Sequence, residues 1–352
     1  MKIHLVSGFL GSGKTTAIQQ AAQILIQKGI KTGVVTNDQG SKLVDGGLFK
    51  SLDIPGREVI NGCFCCNYHD LDASITSLIK TNNTEVVFAE SVGSCTDIVA
   101  TVLKPLLQFR PDVQVTVSVF ADVRLLQMIL ADEANSFDET VRYIYLKQLE
   151  EAGVLVINKI DLTDDKQLAS IKEIMQKKYG NKILLYQNSL DKSNVLQWLQ
   201  LLDNDTPVAA LQSLEINYDI YASGEAKLAW VDEMLEIFSA DNNALQQAAE
   251  LINKIYQKIT DQQYPIGHLK FLINDAIKIS FTSNGEAPVS IKQRAAISAT
   301  VLINMRVQTA PGVITQLIAD AIKETEIQSD CSIIVSSMSA FQPGYPQPAY
   351  RM

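Results

Sequence analysis

Short apolar runs alternate with amphipathic stretches through the first part of the chain, which predicts strands exchanging with helices. Ile3–Val6, Val34–Thr36, Val86–Ala89, Val113–Phe120, Val154–Ile157 and Lys182–Tyr186 read as strands. Helical spacing runs over Thr16–Lys28, Val123–Leu130, Asp138–Glu151 and Leu168–Lys178. In the first of these, Ile18, Ala21, Ala22 and Leu25 share a face, and Gly29 follows the last turn. Strands alternating with helices imply a mainly parallel sheet covered on both faces. A polar, proline-marked stretch, Asn204–Pro207, reads as a domain boundary. Beyond it, Leu214–Ala222 reads as a strand, and Glu225–Phe238 and Asn243–Ile259 as helices, with Trp230 as core packing on the first of them. Strand-like runs follow at Leu269–Thr282 and Ser298–Thr309, then a helix over Gly312–Lys323 and a strand over Ser332–Ser336. The expected architecture is an α/β domain of the P-loop NTPase type over residues 1–205, followed by a smaller α+β domain with a mostly antiparallel sheet over 212–340. Residues 341–352, rich in proline, read as a flexible tail.

Composition narrows the class. The 352 residues are 47% hydrophobic, enough for a large core and two domains. No apolar run nears the ~20 residues that span a bilayer, and Met1 leads straight into a strand without a signal-peptide pattern. A cytoplasmic protein without a membrane partner is therefore expected. A net charge of -9 argues against a nucleic-acid surface. Five cysteines, an odd number with three clustered, do not form a disulfide framework.

The strand–turn–helix at the N-terminus carries Gly8-Phe9-Leu10-Gly11-Ser12-Gly13-Lys14-Thr15, a complete phosphate loop. Its backbone N–H groups cradle phosphates, Lys14 reaches the β- and γ-phosphates and the Thr15 hydroxyl ligates Mg²⁺. Gly8, Gly11, Ser12, Gly13 and Thr16 complete the expected nucleotide contacts, at a helix N-terminus whose dipole favours anions. After the strand Val154–Ile157 comes Asn158-Lys159-Ile160-Asp161, a guanine-reading pattern. The Asp161 carboxylate can accept from guanine N1–H and the 2-amino group, donors adenine lacks there. The Lys159 stem would cover the base, Asn158 would brace the loop, and Asn188-Ser189 is the candidate second base loop. GTP with Mg²⁺ is the expected ligand. Two acids lie where a γ-phosphate sensor belongs. Asp45 follows the strand ending at Thr36, through Asn37-Asp38-Gln39-Gly40 and Ser41, and would meet Mg²⁺ through water or position the attacking water. Glu90 ends another strand and would face Mg²⁺, with Gly93 allowing close backbone approach.

Cys63, Cys65 and Cys66 follow Asn61-Gly62. Three soft donors can supply most of a tetrahedral Zn²⁺ site, and Co²⁺ or Ni²⁺ would accept the same ligands. Cys63 and Cys66 also stand at redox-dithiol spacing, and inert buried thiols are the third reading. Asp38, Glu58 and His69 are candidate fourth ligands, whereas Cys95 and Cys331 read as packed thiols.

Taken together, the phosphate loop, the Asn37–Asp45 switch, Glu58 with Asn61-Gly62-Cys63-x-Cys65-Cys66, Glu90-x-x-Gly93 and Asn158-Lys159-x-Asp161 resemble the CobW family of P-loop GTPases. That family is kin to the GTPases that insert nickel into urease and hydrogenase and to chaperones of cobalamin-dependent mutases. The resemblance implies a GTPase that delivers a transition metal to a client metalloprotein, with turnover slow in the absence of metal, homodimerisation or client. An alternative within it is loading or repair of a corrinoid protein, the cysteines then holding a structural metal. A non-catalytic regulator whose cysteines sense metal or oxidant is a third reading. Two departures stand out. The family's Asn-Glu-Phe-Gly reads Asn37-Asp38-Gln39-Gly40 here, and the histidine-rich run of many relatives is missing, with only His4, His69 and His268 in the chain.

Overall fold

The structure is a computed structural model, described here for residues 1–40, 44–131, 137–203, 212–291 and 295–352. Seven parallel strands form the first sheet: β1 (Lys2–Gly8), β2 (Thr32–Asn37), β3 (Gly56–Val59), β4 (Val86–Glu90), β5 (Gln114–Asp122), β6 (Val154–Asn158) and β7 (Ile183–Gln187). Their order is β3-β2-β4-β1-β5-β6-β7. β2, β4 and β6 are buried at every residue, which is why β4 and β6 read as apolar runs ending in one polar residue rather than as alternating strands. β1 lies between β4 and β5, with Val6 beside Glu90 and Gly8 beside Phe120. That register brings the loops after β1 and β4 to the same edge of the sheet, where open α/β sheets bind ligands.

The second sheet is antiparallel, in the order β10-β9-β11-β8-β12, from β8 (Leu228–Ser239), β9 (Ile266–Ile273), β10 (Ile277–Phe281), β11 (Ser298–Gln308) and β12 (Cys331–Phe341). One face, including Val231, Leu235, Phe271 and Ile303, packs against the helices Ala244–Asp261 and Pro311–Gln328.

Several boundaries differ from the sequence expectation. The stretch expected as the strand Leu214–Ala222 holds the helix Tyr218–Ala226, and most of the expected helix Glu225–Phe238 is β8. Trp230 is core packing, as expected, but on a strand. The physical reason is visible in β8: Val231, Leu235 and Ile237 face the helices while Met234 packs on the other side, a period of two. Pairing with β11 on one side and β12 on the other decides the outcome over helix propensity. The expected run Leu269–Thr282 is two strands, broken where Asn274 and Asp275 take φ of 48° and 54°.

The chain divides into two compact units. The first holds Met1–Gln39, Leu52–Gly224 and Tyr345–Met352, and the second Gly40–Ser51 and Glu225–Gly344. The expected boundary at Asn204–Pro207 lies outside the described residues. A single cut there misses two exchanges: a short segment after β2 joins the second unit, and residues 345–352 return to the first. The tail expected to be flexible is instead tied down. Arg351 Nε donates to Asp97 Oδ2 at 2.7 Å, Met352 N donates to Ala100 O at 3.0 Å, and the Tyr350 ring packs on Tyr68, His69 and Phe109. Among the described residues no helix is long and apolar enough to cross a membrane.

Candidate functional site

The phosphate loop joins β1 to the helix Lys14–Gln27, and its glycines are required by shape. Gly8 has φ +128°, and a Cβ there would fall 2.1 Å from Phe120 O. Gly13 has φ +89°, and a Cβ would fall 2.3 Å from Asn158 Nδ2. Only a residue without a side chain fits either position. Lys14 is buried, and its Nζ donates to Gly8 O at 2.8 Å and Phe9 O at 3.3 Å, within the loop it is expected to serve. The Thr15 hydroxyl donates to Glu90 Oε1 at 2.8 Å, so the two expected Mg²⁺ ligands, far apart in sequence, meet in a buried site. A hydroxyl beside a carboxylate is the oxygen donor set that Mg²⁺ takes in nucleotide sites. Gly93 packs so close to the loop that a Cβ would lie 2.9 Å from Leu10 N.

The loop expected to read guanine touches the phosphate loop directly. Asn158 Nδ2 donates to Ser12 O at 2.8 Å, while Asn158 Oδ1 accepts from Ser189 N at 3.1 Å and Ser189 Oγ at 2.8 Å. Asn158 therefore fastens the Asn188-Ser189 loop and the phosphate loop together. Lys159 takes φ +62°, and its Nζ lies 2.8 Å from Asp122 Oδ2. Burial would raise the Asp122 carboxyl, but Arg124 and Lys159 outweigh it and hold the group below the usual carboxylate range. Asp122 has no role in the sequence reading. Its signal is a carboxylate ending β5 and capping the next helix, where it accepts from Arg124 N. Asp161 is exposed.

The cysteine loop follows β3. Asn61 has φ +59° and Gly62 +150°, and the turn closes where Asn67 N donates to Cys63 O at 2.9 Å ahead of the helix Tyr68–Asn82. Asn37, at the end of β2, grips this loop from the side. Its Nδ2 donates to Val59 O at 2.9 Å and Gly62 O at 2.7 Å, and its Oδ1 accepts from Phe64 N at 2.8 Å. Cys63 and Cys65 are buried with their sulfurs within bonding reach of each other. Cys66 Sγ lies 3.5 Å from Cys63 Sγ and 3.7 Å from Cys65 Sγ. All three sulfurs fall within 4.8 Å of one another, and among the described residues no carboxylate or histidine joins that group. Asp38, Glu58 and His69 thus stay outside it, and the His69 ring stacks edge-on to Tyr350. The strap formed by residues 345–352 runs beside the cysteines, with Ala349 N donating to Cys65 O at 2.8 Å. Cys95 is fully buried, while Cys331 is half-buried in the second unit.

Asp45, expected to face Mg²⁺, belongs to the second unit. It lies on the helix Val44–Ser51, and its carboxylate oxygens are held by Lys270 at 2.5 Å and Lys278 at 2.8 Å. Ser41 lies outside the described residues.

Residues 2–185 match the family described as CobW/HypB/UreG, nucleotide-binding domain. The chain is 27% identical over 190 residues to the zinc chaperone YeiR of Escherichia coli (strain K12), covering 53% of this chain and 54% of that one. It is 24% identical over 200 residues to the zinc chaperone CobW of Sinorhizobium sp, covering 51% and 56%. The chain thus spans about half the length of the curated relatives it matches. A solved structure of HypB from Helicobacter pylori in complex with nickel aligns at a TM-score of 0.43 and 17% identity, over 61% of this chain and 91% of that one.

Proposed function

The chain belongs to the CobW/HypB/UreG family, and from that premise we propose that it binds and hydrolyses GTP and couples its nucleotide state to the delivery of a transition metal, zinc first, to a client metalloprotein. The metal is cargo, carried by the reduced thiols of Cys63, Cys65 and Cys66. The phosphates lie in the loop Gly8–Thr15, with Lys14 moving from the loop carbonyls to the β- and γ-phosphates. Thr15 and Glu90 hold Mg²⁺, which when bound neutralises charge on the phosphate oxygens. Asp161 reads guanine, the Lys159 stem covers the base, and Asn158 keeps both loops in register. Turnover is slow until metal, a second copy or the client completes the site, because no arginine is positioned by sequence as a finger.

The observation that carries this reading is Asn37. One side chain at the end of the switch strand makes two hydrogen bonds to the loop that bears the thiols, at Gly62 and Phe64, and a third to Val59 at the end of β3 that leads into it. Motion of the strand end after γ-phosphate loss therefore loosens the cage around the cargo. Coupling of this kind is reciprocal: if GTP tightens metal binding, metal tightens GTP binding by the same factor.

A chelator competition titration of Zn²⁺, then Co²⁺ and Ni²⁺, tests it on reduced protein with a non-hydrolysable GTP analogue, with GDP and without nucleotide. A change of about tenfold between nucleotide states, ~1.4 kcal/mol, is expected. Tight binding that ignores the nucleotide would make the metal structural and turn attention to a corrinoid client.

A further inference from the structure

The second unit carries a built receptor for the segment that follows β2. Three sets of interactions define it. Gly40 lies against Asp232 so tightly that a Cβ would fall 1.8 Å from Asp232 Oδ2. Asp232 is buried and held in turn by Arg306 Nη1 at 3.0 Å and Asn304 Nδ2 at 2.9 Å. Val44 N donates to Asn304 Oδ1 at 2.8 Å, and its side chain is fully buried against Leu272 and Leu302. Asp45 then meets Lys270 and Lys278. Val44 packs on the sheet face opposite the helices, since Met234, Leu272 and Leu302 alternate with the core-facing residues of β8, β9 and β11.

The charge arrangement decides what the receptor does. Two ammonium groups meet one carboxylate, and all three side chains are less than one-fifth exposed. Burial would raise the Asp45 carboxyl, but the two lysines outweigh it and keep the group well below the usual range, so it is ionised at any physiological pH. A carboxylate with its two oxygens on ammonium groups is not also available to Mg²⁺ or to an attacking water. If the segment leaves, two largely buried like charges lose this carboxylate from between them, a cost that something else must offset.

We propose that this sheet face is the binding surface for the switch segment, with Lys270 and Lys278 as a latch on Asp45 that Mg²⁺–GTP must open. The inference rests on the reading of the chain as a GTP-switched protein, and it gives the second unit a role, which is to set how much γ-phosphate binding energy is spent on releasing the switch. A ligand shifts such an equilibrium only by its differential affinity for the two states. GDP, lacking the γ-phosphate, does not open the latch.

The test compares the wild-type chain with Lys270→Gln/Lys278→Gln in titrations of a fluorescent, non-hydrolysable GTP analogue and of fluorescent GDP, each with Mg²⁺. Removing the latch is expected to tighten the analogue by at least about fivefold and to leave GDP within about twofold. In wild type, amide exchange over residues 44–51 is expected to accelerate with the analogue and not with GDP. Unchanged analogue affinity together with nucleotide-independent exchange would overturn the latch. Should the double variant fail to fold, the exchange experiment on wild type decides alone. Wild type that binds neither nucleotide would overturn the GTPase reading itself, a result distinct from a latch that fails while both nucleotides bind.

Discussion

At the scale of single residues, Gly13 shows how much of the nucleotide site depends on an absent side chain. Gly13→Ala would force a left-handed backbone on a residue with a Cβ and drive that carbon into Asn158 Nδ2, 2.3 Å away. Backbone strain of ~1–3 kcal/mol and loss of the Asn158–Ser12 bond are expected together. Affinity for GDP should fall by on the order of 100-fold, measured by calorimetric titration. Wild-type affinity in that variant would mean the loop can be displaced without loss. The glycines, Lys14 and Thr15 are contiguous, so their grouping in one loop is legible in the sequence, as is that of the three cysteines. Asn37 and Asp122 are not, because their meaning lies in partners that the fold alone supplies. Asn37 reaches residues 22 to 27 positions away. Asp122 reads as a helix cap until Lys159 is seen beside it.

Among elements, the strap Tyr345–Met352 is the one whose sequence misleads. Prolines and an uneven mixture of polar and aromatic residues read as a loose end, yet Tyr350 packs 5.3 Å from Tyr68, 5.6 Å from His69 and 5.1 Å from Phe109 by ring centroids. Local composition cannot reveal a docking surface built from a helix N-terminus and Phe109. Tyr350→Ala should lower stability by ~1–2 kcal/mol in urea unfolding, since each aromatic pair contributes ~0.5–1.5 kcal/mol beyond area burial. It should also speed amide exchange at Cys65 to Tyr68, where the strap meets the cysteine loop. An unaltered urea midpoint would show the strap to be incidental. β8 misleads in a different way, because its polar and apolar residues also fit the period of a helix. Only its two neighbouring strands settle the matter. The parallel sheet is more legible, because β2, β4 and β6 are buried throughout and too short for helices.

For the molecule as a whole, the buried groups Glu151, Glu233 and His4 shape the pH dependence of stability. Burial and the nearby Asp97 push Glu151 from 4.5 up to about 8, although Ile98 N donates to it at 3.1 Å. The folded chain keeps this proton between about 4.5 and 8 while the unfolded chain loses it, so stability declines as pH rises through that window. His4 acts in the opposite sense. Burial lowers it from 6.5 to about 4, so its contribution is complete above 6.5 and is lost as pH falls toward 4. His4 opposes the acids at low pH, and above pH 6.5 Glu151 acts together with Glu233, whose carboxyl burial pushes from 4.5 up to about 7. Wild type should therefore lose up to a few kcal/mol between pH 6.5 and 8, and Glu151→Gln should flatten that slope, by urea unfolding at each pH. A slope unchanged in the variant would assign the titration to another group. The two-unit division carries a further consequence, for synthesis. Residues 40–51 leave the ribosome long before β11, which Val44 requires as cover, and the first unit still awaits residues 345–352 when the whole of the second has been made. Neither unit can be finished early and set aside while the other is translated, in contrast to the usual order in which domains fold one after another from the N-terminus. A nascent chain halted before Gln308 would present Val44 and its neighbours to chaperones, and maturation of this protein becomes a single late event.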